Sequence, residues 1–199
     1  MVLALTSFEV GVDDCKIYPV TADTTASYTC GTVIELTGIK TVKFDPNIES
    51  QELTGDNIIM DSWSKVIGGT FELTFAKCDL ASMALALGAQ IVAAGTTPNL
   101  TQTLSLLSGS QCAYFQITAV INGTDTASAI TGARITLFKC KIDGASIVDN
   151  TERGVSTFSL KGKCSYTLKA FTRNAITTQG ILCEKVFYET VPSIVAVVA

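Results

Sequence analysis

Apolar and polar residues alternate along several stretches of this chain. Val42 and Phe44 interleave with Thr41, Lys43 and Asp45, and Phe71, Leu73 and Phe75 interleave with Thr70, Glu72 and Thr74. A period of two puts one face of a strand against a core and the other in water. The two runs therefore predict an antiparallel pair. The longest alternation sets Phe158, Leu160, Cys164, Tyr166 and Leu168 against Thr157, Ser159, Lys161, Lys163, Ser165 and Thr167. It predicts a long strand with one solvated face, in which Gly162 marks a bulge or a close packing contact. Its partner is expected over residues 134–142, across a polar, turn-rich stretch at 143–154. Further strands are expected near 100–107 and 112–121, the second closed by the Asn122-Gly123 turn signal. Residues 89–99 read as a loop.

One segment has a different period. Leu80, Met83, Ala84 and Leu87 form an i, i+3, i+4, i+7 stripe behind the N-cap candidate Asp79, and Gly88 supplies a left-handed stop. The spacing predicts a helix over 80–87, too short to stand alone and so laid on a sheet face. The whole reads as one mainly β domain over residues 1–199: an antiparallel β-sandwich or half-barrel. It has two long hairpins, 39–76 and 134–168, and one short flanking α-helix. Residues 1–30 read as a weak strand or extended arm, and 181–199 as a final strand and apolar C-terminal arm.

Between the first two strands lies "PNIESQELTGDNIIMDSWSKVIGG", residues 46–69. It fits neither a tight turn nor a clean helix. A connection this long in a compact domain implies a task of its own.

Composition narrows that task. Hydrophobic residues make up 47% of the 199 and charged residues only 16%, which is too apolar for a disordered chain. The net charge of −4 with no long basic run argues against gripping nucleic acid through phosphates. Histidine is absent, which removes the commonest general base and metal ligand and every Ser-His or Cys-His triad. Carboxylate pairs remain, from Asp45, Glu49, Glu52, Asp56 and Asp61, but they fall in or beside the long connection, without a rigid frame. The chain is accordingly read as a non-enzyme with no cofactor and no metal. The seven cysteines lack any C-x-x-C pair, and Cys112, Cys140 and Cys164 read as reduced core or interface residues. No signal peptide pattern opens the chain, and the apolar run at 194–199 is too short to span a membrane.

What remains is surface, and its pattern carries a resemblance. The segment "ELTGIKTVKFDPNIESQELTGDNIIMDSWSKVIGGTFELTFAKCDLASMALALG", residues 35–88, resembles the central part of bacteriophage major tail tube proteins. The shared features are a Gly-Ile-x-x-Val-x-Phe strand, the acidic Glu-Leu-x-Gly-Asp stretch, a second strand and a short Leu/Ala helix. The resemblance implies a virion structural protein whose subunits form homohexameric rings that stack into a tube around a channel for DNA. The inter-ring loop would then hold Asp45, Glu49, Glu52, Asp56, Ile58, Ile59, Met60, Trp63 and Lys65. The lumen face would hold Thr41, Lys43, Thr70, Glu72, Thr74, Thr157, Ser159, Lys161 and Lys163. Implied partners are further copies of the chain, other tail proteins (terminator, baseplate or tip, sheath) and DNA passing without specific binding, with no membrane. The implied location is the virion tail, assembled in the host cytoplasm. Two alternatives stay open: a tube protein of a contractile injection or secretion system, and a secreted β-sandwich binding module.

Overall fold

The structure is a computed structural model and describes residues 9–55, 58–76, 80–123, 131–146, 157–173, 176–178, 180–188, 194 and 198. The chain is mainly β, with one short helix. The strands are β1 (Glu9–Asp23), β2 (Tyr28–Cys30), β3 (Ile34–Glu35), β4 (Ile39–Gly55) and β5 (Ile58–Phe75). After helix α1 (Leu80–Leu87) come β6 (Gln90–Ala94), β7 (Thr101–Ser105), β8 (Phe115–Gly123), β9 (Gly132–Ser146) and β10 (Phe158–Cys164). The last are β11 (Phe171–Arg173), β12 (Ile176–Thr178) and β13 (Cys183–Tyr188). The main sheet runs β2-β1-β8-β9-β10-β5-β4, with β13 added to β9 and β3 to β1. It curls into an antiparallel half-barrel, so that β1 comes back towards β4.

The alternation that predicted the strands also builds the core. Phe71, Leu73, Phe75, Ile117, Leu137 and Leu160 all point into the curl and are buried. Helix α1 lies over this face through Met83 and Ala86, both fully buried. Its stripe gains its stability from that burial rather than from eight residues of helix propensity. Gly88 takes φ +64° and ends the helix, and a side chain there would strike the Gln111 carbonyl. Phe71 meets Phe115 edge-on at 5.9 Å, and Phe75 stacks on Phe158 at 6.0 Å between centroids. On the outer face a second aromatic cluster joins Tyr28, Phe138 and Phe171.

Several expectations are corrected. The long connection does not exist as a loop: β4 and β5, of 17 and 18 residues, stay paired from Ile39↔Phe75 out to Gly55↔Ile58. The polar residues that concealed the strands are polar because both faces of this part of the ladder are wet, so no period-two signal survives. Of the two readings of residues 1–30, the strand holds for Glu9–Asp23, where β1 pairs with β8 through the body of the sheet rather than extending as an arm. The 89–99 loop contains β6, whose small residues hid its pairing with β7. The Asn122-Gly123 signal does not make a two-residue turn, because Asn122 pairs with Gly132. Strand β10 stops at Cys164, short of the expected 168, and Cys112 precedes β8 rather than lying within it. The C-terminal arm is partly intramolecular: β13 pairs with β9, and Ile194 is buried with Tyr18 and Val120. Gly162 does sit opposite a bulge in the β9–β10 register.

Candidate functional site

Two features of the β4–β5 hairpin stand out, and they share the same strands. The inner half is the wall of the half-barrel. The outer half is a free ribbon.

In the wall, the register aligns polar residues in rows across four strands. Thr41 lies opposite Thr74, and Thr74 opposite Ser159. Lys43 lies opposite Glu72, and Glu72 opposite Lys161. Asp45 lies opposite Thr70, Thr70 opposite Lys163, and Lys163 opposite Lys141. Directly opposed residues share a sheet face. Eight of the nine residues predicted for a lumen face thus lie on one surface, the back of the buried face. Thr157 stands just before β10, half-buried.

Charges on this face are paired. Lys43 bridges Asp45 at 2.8 Å, Lys161 bridges Glu72 at 2.8 Å, and Lys163 reaches Asp143 at 3.7 Å. The hydrogen bond to Asp45 holds the Lys43 ammonium above its usual pKa. Lys141 and Asp143 belong to this surface but were missed from sequence. The alternation Lys139, Lys141, Asp143 was the available signal, and the bulge at Asp143 breaks it. Asp45, Thr70, Glu72, Asp143 and Lys161 rim a shallow hollow of about 240 Å³. It is open to solvent. Among the described residues no group of three or more His, Cys, Asp or Glu could hold a metal ion.

The wall is open on both sides. Among the described residues β4 hydrogen-bonds to no strand beyond β5, although β1 approaches it. On the far side, β8 leaves β9 at Cys140, so residues 141–146 pair only with β10 among the described residues. Unpaired edges of this kind are templates for another strand.

The ribbon begins where β10 leaves β5 at Gly69. Beyond that point β4 and β5 pair only with each other for about nine residues a side, some 30 Å at a strand's rise. A bulge at the Asn47/Ile48 step re-aims the ribbon as it leaves the wall. Outside it the register places Glu49 opposite Lys65, Gln51 opposite Trp63 and Leu53 opposite Asp61. Residues 47–54 and 61–65 are all exposed. Ile48, Leu53, Trp63 and Ile67 are between 54% and 62% exposed, although large and apolar. Tyr166 donates its hydroxyl to the Val66 carbonyl at 3.0 Å and braces the ribbon's base. Of the predicted inter-ring residues, Asp45 stays in the wall, while Glu49, Glu52, Trp63 and Lys65 lie along the ribbon. Ile58, Ile59 and Met60 hold strand positions on it, and Asp56 lies outside the described residues. The acidic residues are strung along the chain rather than converging.

The six described cysteines are free. Cys140 and Cys164 are cross-strand neighbours in the core, with sulfurs 2.9 Å apart. No helix of the described chain is long and apolar enough to cross a membrane. No known family model matches the chain, and no curated protein is significantly similar to it in sequence.

Proposed function

We propose that the protein is a structural subunit of a phage tail tube, forming rings, six-membered by the resemblance, that stack around a channel for DNA. The observation that carries this reading is the four-stranded wall with two open edges and a charge-paired polar face. Open edges on opposite sides of the wall suit head-to-tail pairing between copies, which removes the edges when a ring closes. The polar face would then line the channel. Its lysines are largely neutralised by Asp45, Glu72 and Asp143. Few phosphates could release counterions there, so DNA would pass without being held. The ribbon would reach the next ring. A two-stranded ribbon is marginal in water by itself, and this one exposes apolar side chains that a neighbour would cover. Partners are further copies, other tail proteins and DNA in transit; the location is the virion tail, and no catalytic step is assigned.

The test is a shortened chain in which residues 47–68 are replaced by Asn-Gly, which keeps Pro46 opposite Gly69 and closes the hairpin at the wall. Sedimentation of this variant should give single rings and no tubes, while the wild type gives tubes. Long tubes from the shortened chain would remove the role given to the ribbon.

A further inference from the structure

The β6–β7 hairpin forms a sheet of its own and pairs with no other strand among the described residues. Nearly all of it is exposed, with only Leu104 and Ser105 half-buried and Leu104 touching the core. Ile91, Val92, Leu100, Leu106 and Leu107, in and beside it, are between 40% and 59% exposed. The surrounding stretch is also uncharged: residues 80–124 contain no Asp, Glu, Lys or Arg. Natural sheet edges are usually protected by charge or proline within the strand. Neither β6 nor β7 carries any such guard.

We infer that this hairpin is the receptor for the β4–β5 ribbon of a second copy of the chain. The inference rests on the tube reading and names the surface that the ribbon meets. Three observations support it. First, ribbon and hairpin together hold nine of the fourteen large apolar side chains exposed on the described chain. Both sets stay exposed within one subunit.

Second, their sizes match. From the fractional exposures, each set presents on the order of 500 Å² of apolar side chain, at the upper end for a single monomer patch. Either patch against an unrelated flat surface would fall short of the ~800 Å² per partner of a stable interface. Joined to each other they bury about 500 Å² on each partner, still short of that figure, so the contact depends on the edge contacts of a ring to hold the copies together.

Third, the charge pattern fits. The ribbon carries Glu49, Glu52, Asp61 and Lys65. Glu49 lies opposite Lys65 within the ribbon, and an uncharged receptor sets no like charge against the remaining carboxylates, which can stay at the wet rim.

The experiment places a benzophenone amino acid at Leu53, and separately at Trp63, in the full chain. Isotope-labelled and unlabelled protein are mixed, assembled and irradiated, and the cross-linked peptides are mapped. The expected result is a link between copies from either position to residues 90–107. Tubes whose inter-copy links fall elsewhere would overturn the inference and leave the tube reading standing. Links to 90–107 in protein that never forms tubes would support the contact and overturn the tube. No tubes and no inter-copy link would overturn both. A second variant, Val92→Lys with Leu106→Lys, places charge at two exposed sites. It should keep its thermal melt and raise the critical concentration for tube growth at least tenfold; an unchanged critical concentration would contradict the inference.

Discussion

Trp63 is the only tryptophan in the chain and is 55% exposed on the ribbon, so it reports on the contact it is proposed to make. Replacing it with alanine removes a large apolar surface from the ribbon but touches no core residue. Its exposed part is about 150 Å², which at ~25 cal/mol per Å² represents ~4 kcal/mol if a neighbour covers it fully. Ordering the side chain costs ~1 kcal/mol of that. The net loss of ~3 kcal/mol per contact corresponds to a critical concentration raised about a hundredfold. The folded subunit should be unaffected, because an exposed surface substitution stays within about 0.5 kcal/mol. Two assays check this. In the wild type, acrylamide quenching of the single tryptophan should fall on assembly and its emission should shift to the blue. For Trp63→Ala, pelleting against concentration should give the raised threshold, with an unchanged urea midpoint. A tryptophan equally quenchable before and after assembly, or an alanine variant with the wild-type threshold, would refute the reasoning.

Two further predictions concern the wall and its core. At Gly162 an added methyl would lie 2.2 Å from the Lys141 carbonyl and 2.7 Å from the Phe71 ring. Gly162→Ala must part β10 from β9, at about 3 kcal/mol in urea unfolding. Gly69→Ala meets the tip of the half-buried Phe44 ring, which can tilt away, so its loss should be nearer ~1 kcal/mol; equal losses would contradict this account of the wall. The buried thiols predict alkaline weakening. Burial lifts Cys15 from an ordinary 9.0 to about 12, and Cys30 and Cys183 to about 11. Below pH 9 both native and unfolded chains keep these protons, and stability is complete. Above it the unfolded chain ionises while the native one does not, so stability falls as pH rises, by up to about 1.4 kcal/mol per unit for Cys15 alone. Urea midpoints under reducing conditions should be level from pH 7.5 to 8.5 and drop between 9 and 10. A flat profile through pH 10 would contradict the buried, unpaired state of these thiols.

The parts of this fold that were legible in the sequence are those where one face is dry and the other wet. Phe71, Leu73 and Phe75 announced β5, and Leu80, Met83 and Leu87 announced α1, because burial on one side imposes a period. The same rule assembled most of the polar face, since Thr41, Lys43, Glu72, Lys161 and Lys163 are the complement of the buried set. The ribbon was misread for the same reason in reverse. With neither face buried, Glu49, Gln51, Trp63 and Lys65 carry no period, and a strand looks like a loop. Strand β6 was hidden by Ala93 and Ala94, which favour no face. Lys141 and Asp143 escaped because the bulge opposite Gly162 shifts the phase of β9. The segments that sequence reading lost are therefore those with neither face buried in the single chain, or whose register breaks.

The central claim is that open sheet edges close into rings and the rings stack. It is tested most directly by electron microscopy of the purified full-length protein at rising concentration. The account predicts closed rings of uniform number with a central channel, stacking into tubes, with the Lys43, Glu72 and Lys161 face on the channel wall at side-chain resolution. Particles that remain single globular subunits at every concentration, or rings that turn this face outward, would contradict it.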